Sequence, residues 1–220
     1  MTPSSAVLTR PAEPEHASCP VVEASAAHCL AEIAARKTTL AIWRRSVPAG
    51  LPEWLDGLHP TQLPEGQFVA VPGHATAPLQ RLADAVSLPP SLERDWLIGD
   101  IAMLVDCFAR IARCEAVNLR LEAIDHDACW RFHRDYVGLR LNATYRGPGT
   151  QWLPPERAEA ALRSQRRYRG PLNELPRFSV GLFKGVVQAG NDAIVHRSPP
   201  VARHGLTRLF LCLDAEMSDD

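Results

Sequence analysis

CWRFHRDYVGLRLNATYRGPGTQW, residues 129–152, changes character halfway along. In its second half Leu139, Leu141, Ala143 and Tyr145 alternate with Arg140, Asn142 and Thr144, the two-residue period of a strand with one dry and one wet face. Just ahead of that strand stand His133 and Asp135, which on an extended chain project to the same side. The strand closes on Gly147-Pro148-Gly149-Thr150. This is a tight turn expected to set Thr150 and Trp152 at a pocket mouth, and not a phosphate loop, because the Lys-Ser/Thr pair and following helix are missing. The stretch reads as the opening half of a metal site in a β-rich fold.

Working outward, the same alternation occupies Val117, Leu119, Leu121 and Ala123, and strands are expected at 178–187, 193–197 and 207–214. Upstream the period is helical. Helices are predicted over 22–37, 77–86 and 91–113, the last with Ser91 as N-cap and an apolar stripe from Trp96 to Ile111, with short strands at 39–43 and 68–71. Prolines and glycines between 48 and 78 permit only short elements, such as a helical turn at 52–58. The expected fold class is α+β: N-terminal helices packed on a C-terminal antiparallel double-stranded β-helix of the cupin or jelly-roll kind, the wet row of each strand facing a pocket. Residues 1–20, rich in Pro, Ser, Ala and Glu, are expected to form a loose tail. Residues 21–220 form one domain, mainly helical over 21–115 and β-rich over 116–220.

Composition narrows the partners. With 24 basic and 25 acidic side chains the net charge is −1, so overall electrostatics make no case for nucleic acid or an anionic membrane, and any such case needs a local cluster. Six scattered cysteines without a Cys-x-x-Cys pair fit free thiols in a reducing compartment. No membrane-spanning run or signal peptide is evident, and a cytoplasmic location is expected.

A third ligand completes the site. His196, a lone histidine on a later strand, with His133 and Asp135 makes a set of two imidazoles and one carboxylate, the facial arrangement that suits Fe(II) and leaves positions open for other ligands. Against it stands the ease with which one His-x-Asp pair arises by chance and the usual structural role of isolated histidines. Arg208, among apolar neighbours, is costly to bury alone and matches a carboxylate such as that of a 2-oxo acid; the bland alternative pairs it with Asp214 or Glu122. Arg140 and Lys184 compete for that role. Zinc would ask for a fourth ligand, for which Cys129 and His204 are available. Asp125-His126-Asp127 reads as a solvated turn, Cys107 and Cys114 as core thiols, and the basic run 163–169 as an exposed face.

The segments FHRDYVGLRLNATYRGPGTQWLP, VGLFKGVVQAGNDAIVHRSPP and RLFLCLD resemble a bacterial family catalogued as domain of unknown function 1826. That resemblance implies a connection with zinc homeostasis and a metal-chaperone GTPase as partner. More distantly, the order His-x-Asp, His, Arg resembles the Fe(II)/2-oxoglutarate-dependent oxygenases. This implies that His133, Asp135 and His196 hold the metal and that Arg208, with Thr144 or Tyr145 adding a hydrogen bond, holds 2-oxoglutarate. About six strands are visible where that fold has eight. No catalytic residue beyond the metal ligands is assigned, and the non-catalytic alternative is a zinc-binding protein.

Overall fold

The computed structural model describes residues 20–215; apart from residue 20, the tail expected at 1–20 lies outside them. Ten strands are present among the described residues: β1 (Val21–Ala24), β2 (Leu40–Trp43), β3 (Gly66–Ala70), β4 (Val117–Ile124), β5 (Leu139–Arg146), β6 (Gln151–Leu153), β7 (Asn173–Glu174), β8 (Val180–Lys184), β9 (Val195–Arg197) and β10 (Arg208–Ala215). Five α-helices join them: α1 (Leu51–Gly57), α2 (Thr76–Ala85), α3 (Leu92–Ala112), α4 (Pro155–Ser164) and α5 (Val186–Ala189). A seven-stranded sheet runs β1-β2-β8-β5-β10-β4-β3 and a three-stranded sheet runs β7-β6-β9. All pairings are antiparallel except β1 with β2.

Strand alternation sorts the layers. Leu139, Leu141, Ala143 and Tyr145 of β5, with Leu119 and Leu121 of β4 and Leu209, Leu211 and Leu213 of β10, join one core with Leu51 and Leu55 of α1 and Leu97, Ile101, Leu104 and Phe108 of α3. The other face of β2 and β8 packs Leu40, Ile42 and Phe183 against Trp152, Leu175 and Ile194 around the small sheet. Helices therefore cover one face of the large sheet and the small sheet covers part of the other, as the wet and dry rows require. Burying one leucine is worth roughly 1.5–3 kcal/mol, so a one-residue slip of β5, which exposes its whole dry row and buries Arg140, is heavily penalised.

The main supporting helix forms where its signals lie. Ser91 Oγ accepts from the Arg94 amide at 3.1 Å, and α3 ends on Arg113 in the left-handed region. Arg45 and Tyr145 fasten it to the sheet: Arg45 forms a bidentate pair with Asp100 of α3, and the Tyr145 hydroxyl donates to the same carboxylate at 2.6 Å.

The first expected helix is corrected. Residues 21–24 form β1, because Val21 and Val22 are β-branched and pair in register with Leu40 and Ala41; a 3₁₀ helix, Ala27–Ala34, follows and buries Leu30 and Ile33. The expected count of about six strands is also low. The unforeseen β1, β6 and β7 are only two to four residues long, too short to show a period. The expected strand 178–187 narrows to β8, and its end becomes α5.

Candidate metal centre

Asp135 lies between the Phe132–His133 segment and β5, and its backbone is clamped by the chain that follows β8. Val186 N donates to Asp135 O at 2.8 Å, and Gly185 N donates to Gly138 O at 2.9 Å. Gly185 is needed for this approach: a Cβ there would stand 2.2 Å from Val137 O and 2.8 Å from Asp135 O. His133 and His196 are brought together by an antiparallel bridge, each amide donating to the other's carbonyl at 3.0 Å. Their rings sit 4.6 Å apart between centroids.

The three side chains converge, with one ligand atom from each lying within 4.8 Å of the others. His133 Nε2 is 3.5 Å from Asp135 Oδ1 and His196 Nε2 is 3.1 Å from Asp135 Oδ2. Both Nδ1 atoms face carbonyl oxygens, of Arg131 at 2.8 Å and of Ile194 at 3.2 Å. An Nδ1–H donated to each carbonyl leaves Nε2 as the free lone pair, the tautomer a metal ligand needs. Asp135 is buried, its Oδ2 has no hydrogen-bond partner, and Arg140 Nη1 holds Oδ1 at 2.5 Å. Burial alone would raise the Asp135 pKa, but the two imidazole rings beside it and the charge of Arg140 hold it well below the usual carboxylate range. A buried carboxylate kept ionised, with one oxygen unsatisfied between two imidazole nitrogens, fits a divalent cation.

A cleft of about 190 Å³ opens beside this cluster, lined by His133, His196, Asn142, Thr150, Ser198 and Phe210 among others. Arg208 lies one layer behind that wall and is fully buried. Its partners are neutral hydroxyls: Ser198 Oγ at 3.2 Å, Thr144 Oγ1 at 3.1 Å and Thr150 Oγ1 at 3.5 Å, while its Nε has none. Burial pushes its pKa down to about 10. Neither carboxylate considered from sequence pairs with it; Asp214 takes a bidentate bond from Arg140, and Glu122 faces Arg120 at 3.8 Å.

The remaining expectations divide by face. Thr144 touches Arg208, whereas Tyr145, next along β5, points into the helical layer and is spent on Asp100, so its expected cosubstrate bond is corrected. Arg140 lies on the wet row, but its three nitrogens are committed to Asp135 and Asp214, so it holds the Asp135 carboxylate in place and is not available as a cosubstrate anchor. Lys184 donates to Ala35 O at 2.7 Å, away from the cleft. Trp152 packs between the sheets and does not stand at the mouth. Cys129 lines the cleft and His204 contacts Arg203, yet neither joins the three-residue cluster. Sequence reasoning missed Ser198, two residues past His196, and Gly185.

A family profile described as "Protein of unknown function (DUF1826)" matches residues 24–214. No curated protein sequence matches. Among solved structures, the chain is similar to the Arabidopsis thaliana dioxygenase for auxin oxidation 1 in complex with 2-oxoglutarate, at TM-score 0.48 and 8% identity over 92% of this chain and 95% of that one. It is also similar to a full-length Neurospora crassa protein in complex with alpha-KG, at TM-score 0.44 and 12% identity, covering 90% of this chain and 84% of that one. A third similar structure is the Kdo hydroxylase KdoO, a non-heme Fe(II) alphaketoglutarate-dependent dioxygenase, at TM-score 0.41 and 12% identity, covering 90% and 89%. No helix among the described residues is long and apolar enough to cross a membrane.

Proposed function

The chain belongs to the DUF1826 family, and from its ligand geometry we propose that it is a non-haem Fe(II) enzyme that uses 2-oxoglutarate. The observation that carries this reading is the buried, unpartnered Asp135 Oδ2 facing His196 Nε2, with His133 Nε2 beside it. One carboxylate and two imidazoles occupy one side of a cation and leave the rest of its coordination sphere open, which is the demand of Fe(II) oxygenase chemistry. A zinc site of structural type would call on a fourth protein ligand, and the cluster holds three.

Each residue then has a task. His133, Asp135 and His196 hold the metal, Arg140 aims Asp135 through Oδ1, and the carbonyls of Arg131 and Ile194 hold the imidazole tautomers. Arg208 is the carboxylate anchor: a buried guanidinium ringed by three hydroxyls and no acid gains an ion pair when a dicarboxylate enters, with Ser198, Thr144 and Thr150 sharing the anion. The stacked sheets, with the histidine bridge extending the small one, support a double-stranded β-helix as the framework. When bound, Fe(II) with 2-oxoglutarate supplies dioxygen activation, which inserts one oxygen into a substrate C–H bond and the other into the succinate released with CO₂.

The test is iron content and succinate yield of untagged protein supplied with Fe(II) and 2-oxoglutarate. Stoichiometric iron, with succinate formed at a rate that His133→Ala abolishes, supports the reading. Iron-loaded protein that forms no more succinate than His133→Ala overturns it.

A further inference from the structure

The outer face of the small sheet, on which α4 packs, and the turns beside it carry guanidinium groups that no carboxylate pairs. Elsewhere Arg45, Arg94, Arg134, Arg140 and Arg177 each hold a carboxylate. Here Arg131, Arg166, Arg167, Arg197 and Arg203 have no ion-pair partner among the described residues. The group is contiguous. The Arg197 guanidinium lies 4.3 Å over the Phe132 ring, and Phe132 meets Tyr168 edge-on at 5.5 Å. Gln165 clamps the same segment, accepting from Phe132 N at 2.9 Å and donating to Phe132 O at 3.0 Å, which fixes the arginine-bearing turn after α4 in place. The guanidinium groups of Arg166 and Arg131 lie 4.1 Å and 5.3 Å from the centre of the Trp130 ring. Burial first, and the nearby charge of Arg203 second, lower the Arg197 pKa. Two like charges so placed gain free energy when an anion arrives.

We propose that this belt of arginines around Trp130 binds single-stranded nucleic acid, with phosphates on the guanidinium groups and bases stacked in the tryptophan–arginine pile. Guanidinium planes match phosphate oxygens in pairs and also offer flat faces, and an aromatic ring set among them is the stacking platform that single strands use. A duplex groove calls for a protruding helix or ribbon, whereas α4 lies flat, with Ala158 and Ala161 buried against the small sheet. An acidic peptide would satisfy the charges but leave Trp130 without use. Because the whole chain is near neutrality, the attraction is local and strongly salt-dependent. The surface stands independently of the metal reading. Phe132 packs toward α4 while His133, the next residue, lines the cleft, and Arg197, which also lines the cleft, is where the belt and the metal site meet.

The experiment is fluorescence anisotropy of full-length protein with a labelled mixed-sequence probe of about 15 nucleotides, a length of the order of one single-strand binding site, as DNA and as RNA, across the salt range of roughly 50 to 200 mM over which phosphate contacts weaken. Binding is expected that weakens with salt. Arg166→Gln with Arg167→Gln should weaken it by about tenfold or more and flatten the logarithmic salt slope by about 1.4, the value for two lost phosphate contacts on a single strand. Trp130→Ala should weaken it by about fivefold or more with the slope kept, and Asp135→Ala should leave it unchanged, which separates this surface from the metal centre. Absence of binding at the lowest salt overturns the proposal. So does a loss no larger than that of Arg110→Gln on α3, or tighter binding of a duplex or of polyglutamate of equal charge.

Discussion

His133 and His196 stand directly opposite each other across an antiparallel bridge, each amide donating to the other's carbonyl. The two imidazoles of the proposed metal site are therefore spaced by backbone geometry before any cation arrives, and their rings need only keep Nε2 free.

Metal content should follow from that cluster. Asp135→Ala and His196→Ala are expected to retain less than about a tenth of the wild-type metal, since each removes one of three ligands. Arg140 stays anchored on Asp214 in the first variant, so its fold survives. Mass-spectrometric metal analysis beside circular dichroism checks both points; full metal retention in Asp135→Ala would falsify the ligand assignment.

Arg208 makes a prediction of opposite sign for stability and binding. Burial pushes the Arg208 pKa down to about 10, which corresponds to a burial cost of about 3 kcal/mol. The sign follows from linkage: the cost is fully present below about pH 10, where Arg208 is charged in both states, and is relieved as pH rises toward the ordinary guanidinium value. Through the neutral range it is constant. Arg208→Met should raise the melting temperature of ligand-free protein by several degrees at any pH in that range. The same variant should lose the stabilisation that 2-oxoglutarate gives the wild type, and thermal melts with and without the dicarboxylate test both halves.

His133 predicts how pH acts on the metal. Its hydrogen bond to Asp135 outweighs desolvation and raises its pKa above 6.5. In metal-free protein the proton's stabilising contribution is complete below pH 6.5 and is lost as pH rises through the raised value. A metal needs the same nitrogen unprotonated, so affinity should begin to fall at a pH above 6.5 as acid is added. Metal titrations by calorimetry from about pH 8 down to about pH 5.5 should show that fall.

Two backbone and core variants separate fold from site. Gly185→Ala places a methyl against Val137 O and Asp135 O, and should weaken metal binding by about tenfold or more through the displaced carboxylate. Tyr145→Phe removes a buried hydrogen bond to Asp100 on the far side of the sheet, costing about 1–3 kcal/mol in a urea melt and leaving metal affinity unchanged.

Much of the site was legible because strand period reports which residues share a face. Arg140, Asn142 and Thr144 do share the cleft side, and His133, Asp135 and His196 do converge. What period could not convey is which partners a side chain finds across the sheet. Arg140 and Arg208 look alike in sequence, yet register sets Arg140 opposite Asp214 and leaves Arg208 opposite Ile124. The two-residue strand β7 and the clamp at Gly185 depend on contacts between distant segments, and no local pattern announces them. Val22, expected at the start of a helix and found in β1, shows tertiary pairing prevailing over an alanine-rich context.

β5 holds its dry residues to the helices and lends its wet ones to the cleft, so a single backbone is wall and tool at once. Change on the wet side is thus insulated from folding. Asn142 or Thr144 can be exchanged for other polar residues without disturbing the leucines behind them, whereas inserting one residue anywhere in the strand inverts both rows together. Lineages carrying this fold should accordingly diversify their chemistry by point substitution on alternate positions and confine insertions and deletions to the loops that rim the cleft.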